Sequence, residues 1–385
     1  MLVLTSQFTL DEWLALLLSA LAQQSVSFGA SGTLRIVHVS DTHYHPLQPS
    51  CKDVPEGQPC SHRNTTTFLE SVLRKEQPHL VAYTGDIIDG GSKPPKDAMD
   101  DLYGVAITAE LPWAASLGNH DEESYLSRDE VMQYITNMPR TKTEYGPVAG
   151  SPGNFYIDVL ANATTVARLV FFDSRIDHVN LSINNEQVAW FENITASLPP
   201  VPTLAFYHIP LREYQDAIDA HQPISGAMRE PICDDLPNPG VFPALQRGGV
   251  IAGFCGHDHT NDFCVRWPAT PSKESPAINL CYEGSPGLGA YGSCDASKTI
   301  CYMRRARVTE LQLDATTLPR LRSVRSWKRV DAGGSVAADE RLDDEVLWSI
   351  GEDDVEAILS TEQRHVLAAV DGPWQNLQPK AFNHL

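Results

Sequence analysis

Five short hydrophobic runs in this 385-residue chain end in residues that bind metals or move protons. IVHVS leads into Asp41-Thr42-His43, LVAYT into Gly85-Asp86, and WAASL into Gly118-Asn119-His120-Asp121. Further on, LAFY delivers His208, and VIAGFC delivers Gly256-His257-Asp258-His259. Each piece alone is weak, because a single His after a strand is more often a loop or core residue and Gly-Asn suits an ordinary turn. Five in succession point to one site, since open α/β sheets gather ligands at the carboxyl ends of their strands. The mixture of imidazole, carboxylate and amide oxygen suits iron, manganese or zinc better than calcium.

The elements that must position these residues follow from periodicity and turn chemistry. Strands are expected at Leu34–Ser40, Leu80–Thr84, Trp113–Leu117, Leu169–Asp173, Thr203–Tyr207, Val250–Phe254, Ala277–Tyr282 and Val308–Leu313. Helices are expected at Thr66–Gln77, stopped by Pro78, at Arg128–Met138, opened by a Ser127/Glu130 capping box, and at Glu186–Ile194. No internal repeat or low-complexity tract is visible. The order predicts an α/β catalytic domain over residues 33–328, with the later strands in a second sheet. An acidic extension follows over 329–385, where Leu342, Val346, Leu347 and Ile350 fall at near-helical spacing and predict amphipathic helix.

Bulk properties narrow the partners. The 29 Lys and Arg against 49 Asp and Glu give a net charge of −20, which argues against a nucleic-acid-binding surface. Phosphate substrates remain compatible, because bound cations reverse the local field. Residues 1–32 are expected to be a leader: Trp13–Ala22 (WLALLLSALA) is apolar but too short to span a bilayer, and cleavage is expected between Ala22 and Gly32. Asp11 and Glu12 stand where a signal peptide usually carries positive charge, so a buried N-terminal helix is the competing reading. Sequons at Asn64, Asn162, Asn180 and Asn193 and an even count of eight cysteines fit an exported glycoprotein, either extracellular or at the cell surface or in a vacuolar lumen. Asn64 also suits the N-cap of the helix after it.

With these blocks assembled, the chain resembles the calcineurin-like metallophosphoesterases. The matching motifs are DTH, GDIID, GNHD, the His208 of YHIP, and GHDH. Within that family it is similar to the purple-acid-phosphatase-like group of plants and fungi, over roughly Leu34 to Leu313, through stretches such as LPWAASLGNHDEES and GHDHTNDFC. The resemblance implies a four-layer α-β-β-α sandwich of two mixed sheets flanked by helices. It also implies two transition-metal ions, one held by Asp41, His43 and His259, the other by Asn119, His208 and His257, with Asp86 bridging them. One departure stands out. Purple enzymes carry a Tyr three residues after the GD aspartate, where this chain has Asp89, and their first motif lacks a counterpart of His43. The protein is therefore not expected to be purple, and Asp89 is expected to support the site rather than ligate.

The implied chemistry is hydrolysis of a phosphate monoester by a hydroxide held between two metals about 3.5–4 Å apart. His120 is expected to protonate the leaving group, with Asp121 orienting its ring; a metal-ligand or buried structural role for His120 is the alternative. His45 and Asn261, with Asn119 and His120, are expected to contact substrate. A phosphodiesterase or nucleotide hydrolase on the same scaffold, and a non-catalytic binding protein, are the competing functions. Ser40 and Ser285 lack a G-x-S-x-G elbow. Spacing does not fix disulfide connectivity. One arrangement pairs Cys51 with Cys60, Cys264 with Cys281, Cys294 with Cys301, and Cys233 with Cys255, while Cys255 beside His257 could instead be a soft ligand or a thiol.

Overall fold

The computed structural model describes residues 24–46, 51–54, 59–177, 180–233, 239–294, 301–314, 319–332, 336 and 341–351, with the backbone alone over 175–177 and 180–182. In chain order the strands are β1 (Ser25–Ser27), β2 (Thr33–Val39), β3 (Leu80–Thr84), β4 (Trp113–Ser116), β5 (Phe155–Ala161), β6 (Thr164–Phe171), β7 (Arg175–Asp177) and β8 (Asn180–Ser182). They continue as β9 (Thr203–Phe206), β10 (Ile224–Ser225), β11 (Val250–Cys255), β12 (Cys264–Trp267), β13 (Ile278–Tyr282), β14 (Arg305–Asp314), β15 (Arg320–Val330) and β16 (Leu342–Ser349). The helices are α1 (Arg63–Glu76), α2 (Pro95–Thr108), α3 (Arg128–Ile135), α4 (Asn185–Ser197), α5 (Arg212–Asp219) and α6 (Val241–Arg247).

One sheet has the order β16-β15-β14-β2-β3-β4 and the other β1-β5-β6-β9-β11-β13-β12-β10. Both are mixed: β2, β3 and β4 run parallel, as do β6, β9, β11 and β13, while β14 and β12 run antiparallel to their neighbours. The central strands are apolar along their whole length because both faces are covered. In β2, Leu34 and Ile36 point between the sheets while Val37 and Val39 face α1, α2 and α3. The same alternation splits Leu80 and Ala82 from Val81 and Tyr83 in β3. The outer face of the second sheet packs on α4, α5 and α6 through Phe172, Phe191, Tyr214 and Leu245. Three apolar layers therefore separate four layers of structure, the expected α-β-β-α sandwich.

The expected domain limits meet strands on both sides. The boundary at 328 cuts β15, and the predicted helix around Leu342–Leu347 is strand β16. Pairing decides this: Leu347 packs between the sheets, Asp343 bonds Lys328, and Asp344 bonds Arg325 of the neighbouring strand. An edge strand that neutralises acidic residues on cationic β15 outweighs a weak helical pattern. At the other end, Ser25–Ser27 pairs with Asp158–Leu160, so a leader reaching residue 32 would include a strand of the sheet. Residues 1–23, which carry the apolar run, and 352–385 lie outside the described residues.

The capping box at Ser127 forms as expected. Asn64, by contrast, is no N-cap; it sits inside α1, its side chain donating to the Pro59 carbonyl at 3.0 Å. Asn162, in the β5–β6 turn, and Asn193, on α4, are exposed, and the Asn180 side chain lies outside the described atoms. Disulfides join Cys51 to Cys60, Cys264 to Cys281 and Cys294 to Cys301. The fourth pairing does not form. Cys255 is buried in the outer apolar layer beside Tyr214, where burial drives its thiol pKa well up, whereas Cys233 lines a cavity on the other side of the β11 end. A thiol so disfavoured as thiolate is also a poor metal ligand.

Candidate metal centre

The ends of β2, β3, β4, β9 and β11 converge on the seam between the sheets. The chain turns sharply there: Asp41, His43, Asp86 and His257 all adopt left-handed backbone, with φ of 52°, 42°, 52° and 73°. Such conformations cost of order 1–3 kcal/mol each and persist only where the surroundings enforce them. Glycines admit the close approach. A Cβ on Gly118 would stand 2.2 Å from Asp86 Oδ1, and one on Gly256 would stand 1.9 Å from Ser40 Oγ.

Two clusters result: Asp41, His43, Asp86 and His259 converge in one, and Asp86, His208 and His257 in the other, so Asp86 is shared. Asp41 is fully buried; Ser40 Oγ donates to its Oδ2 at 2.6 Å, and the His257 N–H donates to both oxygens at 3.1 Å. His208 is held from behind by the Thr84 carbonyl, 2.9 Å from Nδ1. A carbonyl only accepts, so Nδ1 carries the proton and a neutral ring turns the lone pair of Nε2 toward Asp86 Oδ2, 3.0 Å away. Lone pairs face each other there unless something positive lies between them. His43 Nε2 and His259 Nε2 meet at 3.2 Å, a contact in which one ring must donate unless a cation lies between them. With His208 neutral, neither Asp86 Oδ2 nor His208 Nε2 has a hydrogen-bond partner despite burial, and Asn119 Oδ1 is likewise buried and unpartnered.

With no ion between them, a proton on His208 Nε2 supplies that positive charge and bonds Asp86. Burial, then the Asp86 charge, pushes the Asp41 carboxyl up to about 7 against the pull of His208. Burial opposes charge on His208 too, yet Asp86 and Asp41 raise it to about 10. Burial and the neighbouring His208 bring His257 down to about 3, and burial holds His259 well below its ordinary value, leaving both rings neutral and ready to ligate. Unpartnered borderline donors at strained, buried strand ends fit two transition-metal ions.

The supporting residues correct two expectations. Asp121 does not touch the His120 ring; its carboxylate accepts the N–H groups of Asp86, Ile87, Ile88 and Gly118 at 2.7–3.1 Å, binding the GDII turn to the GNH turn. Glu123 takes the orienting position, with Oε2 2.8 Å from His120 Nδ1. Asn261 is fully buried and holds the loop at Arg229 and Glu230, so it is no substrate contact. His45 does line the cavity, its ring seated over Gly91 and its Nε2 2.8 Å from Asp89 Oδ1. The other Asp89 oxygen lies 3.5 Å from His43 Nδ1, the supporting position expected of it. Sequence reasoning also missed Arg128, which bonds the Gly118 carbonyl at 2.8 Å and Asp173; only its place at a helix start marked it.

The centre opens into a cavity of about 600 Å³ lined by His43, His45, Lys52, His120, Glu123 and Tyr291 among others. A larger cavity, about 910 Å³, lies between α1 and α2 and contains none of the converging donors.

Comparison with known proteins agrees with this architecture. The calcineurin-like phosphoesterase family matches residues 34–261. Two Arabidopsis thaliana proteins, named probable inactive purple acid phosphatases 29 and 28, are 31% and 32% identical, covering 85% and 83% of this chain and 89% and 85% of their own. Phosphatase DCR2 of Saccharomyces cerevisiae is 28% identical over 78% of this chain and 54% of its own. A solved dimetal phosphatase from Danio rerio shares the fold, with a TM-score of 0.53 at 13% identity, over 82% of this chain and 99% of that one. This chain therefore belongs to the calcineurin-like phosphoesterase family.

Proposed function

We propose that the protein is an exported, dinuclear metal-dependent phosphatase that hydrolyses small phosphate monoesters. The observation carrying this is the pair of donor clusters that share Asp86 and turn unpartnered lone pairs toward one another. Asp41, His43 and His259 would hold one ion and Asn119, His208 and His257 the other, with Asp86 between them. When bound, such ions supply a water that loses its proton near neutral pH and positive charge against the phosphoryl oxygens. The rest falls to the chain. The His120 N–H donates to Asp86 Oδ1 at 2.8 Å, fixing its backbone beside the centre, and its ring faces His43 at 5.1 Å between centroids. Burial works against a charged His120, but Asp86 and then Glu123 outweigh it and raise its pKa, so the ring carries a proton to give to the departing alkoxide. Glu123 keeps that ring aimed. Three disulfides support an oxidising compartment.

A second reading, a metal-binding protein without turnover, draws on the Arabidopsis relatives, whose names call them inactive, and on Asp89 in place of a tyrosine. One experiment separates the two. Metal content of the purified chain is measured alongside hydrolysis of an aryl phosphate monoester and an aryl diester, before and after chelation. About two ions per chain, with monoester turnover lost to chelator and restored by metal, is the expected result. Metal-replete protein inert toward both esters would establish the second reading, and preference for the diester would replace monoesterase by diesterase.

A further inference from the structure

Most histidines at the centre have a partner that fixes the ring from behind. His208 has the Thr84 carbonyl, His43 has Asp89 and His120 has Glu123. Such partners normally set the tautomer and orientation of a ligating imidazole. His259 differs: its Nδ1 is buried with no hydrogen-bond partner. What lies against it is the face of Tyr291, with ring centroids 3.9 Å apart and planes 21° from parallel.

Tyr291 is itself fastened. Its hydroxyl donates to Glu230 Oε2 at 2.6 Å, while the other Glu230 oxygen accepts from the Thr260 N–H at 2.6 Å and the Thr260 hydroxyl at 2.8 Å. Glu230 thus joins Tyr291 to the residue that follows His259, and Asn261 secures Glu230 through its backbone. The loop bearing Tyr291 also lies close to the first motif, where a Cβ on Gly289 would stand 1.9 Å from the His43 carbonyl oxygen.

We infer that Tyr291, anchored by Glu230, is the positioning residue for His259, its ring face replacing the hydrogen-bonded partner that His43, His120 and His208 have. The assignment rests on the proposed metal-holding role of His259. Its chemistry is consistent: a metal draws positive charge onto the imidazole, and an aromatic face attracts such a ring more strongly than a neutral one. Removing the face should therefore weaken the ion held by His259 and leave the one held by His208 and His257.

The test is Co²⁺ titration of the metal-free full chain, as wild type, Tyr291→Leu and Tyr291→Phe. Bound metal is followed by equilibrium dialysis and by visible absorption, and melting of the metal-free proteins checks the fold. Wild type is expected to bind two ions. Tyr291→Leu should bind one normally and the second about 10- to 100-fold more weakly, with an unchanged metal-free melting temperature. Tyr291→Phe, which keeps the face and loses the hydroxyl's bonds to Glu230 and to the His259 N–H, should fall between them. If Tyr291→Leu does not fold, Tyr291→Met asks the same question without a ring. Two ions of wild-type affinity in the ring-less variant, or a Phe variant as weak as Leu, would overturn the assignment while leaving the proposed function standing. A wild type that binds no Co²⁺ would overturn both.

Discussion

Two buried polar clusters sit three residues apart in sequence and behave in opposite ways. Asp262, just past the GHDH motif, is fully buried and saturated: it accepts from Arg305, from Arg229 at 2.9 Å and from the Ala227 N–H at 2.8 Å, with Lys328 at 3.2 Å. Its backbone carbonyl also takes Arg307 and Lys328. Around His257 and His259 the buried donors face one another or have no partner. Burial of charge is common to both, so it identifies neither. What separates a structural cluster from a functional one is whether the chain satisfies its own polar atoms.

That contrast can be broken at its open end first. Asp86→Ala removes the shared carboxylate, and both ions are expected to bind more than about 10²-fold more weakly, with hydrolysis falling to background; metal analysis and aryl phosphate turnover check this together. His120→Ala should lower kcat by about 10²- to 10⁴-fold while metal content stays at the wild-type level. Equal loss of metal and rate would instead make His120 a ligand.

The closed end gives a different signature. Asp262→Asn leaves buried cations without their counter-charge and should cost about 3–5 kcal/mol of stability at neutral pH, with turnover per folded molecule retained. Burial opposes the Asp262 charge, but Arg305, Lys328 and Arg229 prevail and depress its pKa. A depressed carboxylate contributes stability above its unfolded pKa of roughly 3.9 and loses it as pH falls through the folded value. The gap between wild type and variant, measured by urea unfolding of the metal-free proteins, should therefore close below about pH 4. The smallest effect is expected from Glu123→Gln, which keeps a bond to His120 and loses its charge. The kcat should drop roughly tenfold, and the limb of the pH–rate profile that reports protonated His120 should move to lower pH.

The sequence made the centre legible because its candidate donors follow apolar strands at once, and strand plus polar terminus is a local signal. It did not separate Asp121 from Glu123, since both lie within three residues of His120 and only the turn decides which carboxylate reaches the ring and which reaches the backbone of Ile87. Asn261 looked like a site residue for the same reason, being adjacent to the motif yet turned into the protein. Helix α2 carries no clear helical signal in the sequence because Pro94-Pro95 and Gly104 interrupt its pattern. Strand β16 reads as helix in the sequence because the cations that hold it lie on β15, a relationship visible only in the folded sheet.

The donors come from both halves of the sandwich. Asp41, Asp86 and Asn119 follow strands of the six-stranded sheet, while His208, His257 and His259 follow strands of the eight-stranded one. Ions gripped by both sets would act as rivets across the seam, stabilising the joined state in proportion to the logarithm of their free concentration. Scarcity of metal would then do more than empty the centre. It would loosen the sandwich along its central joint, exposing the protein to proteases, so that abundance and activity would decline together in a metal-starved environment.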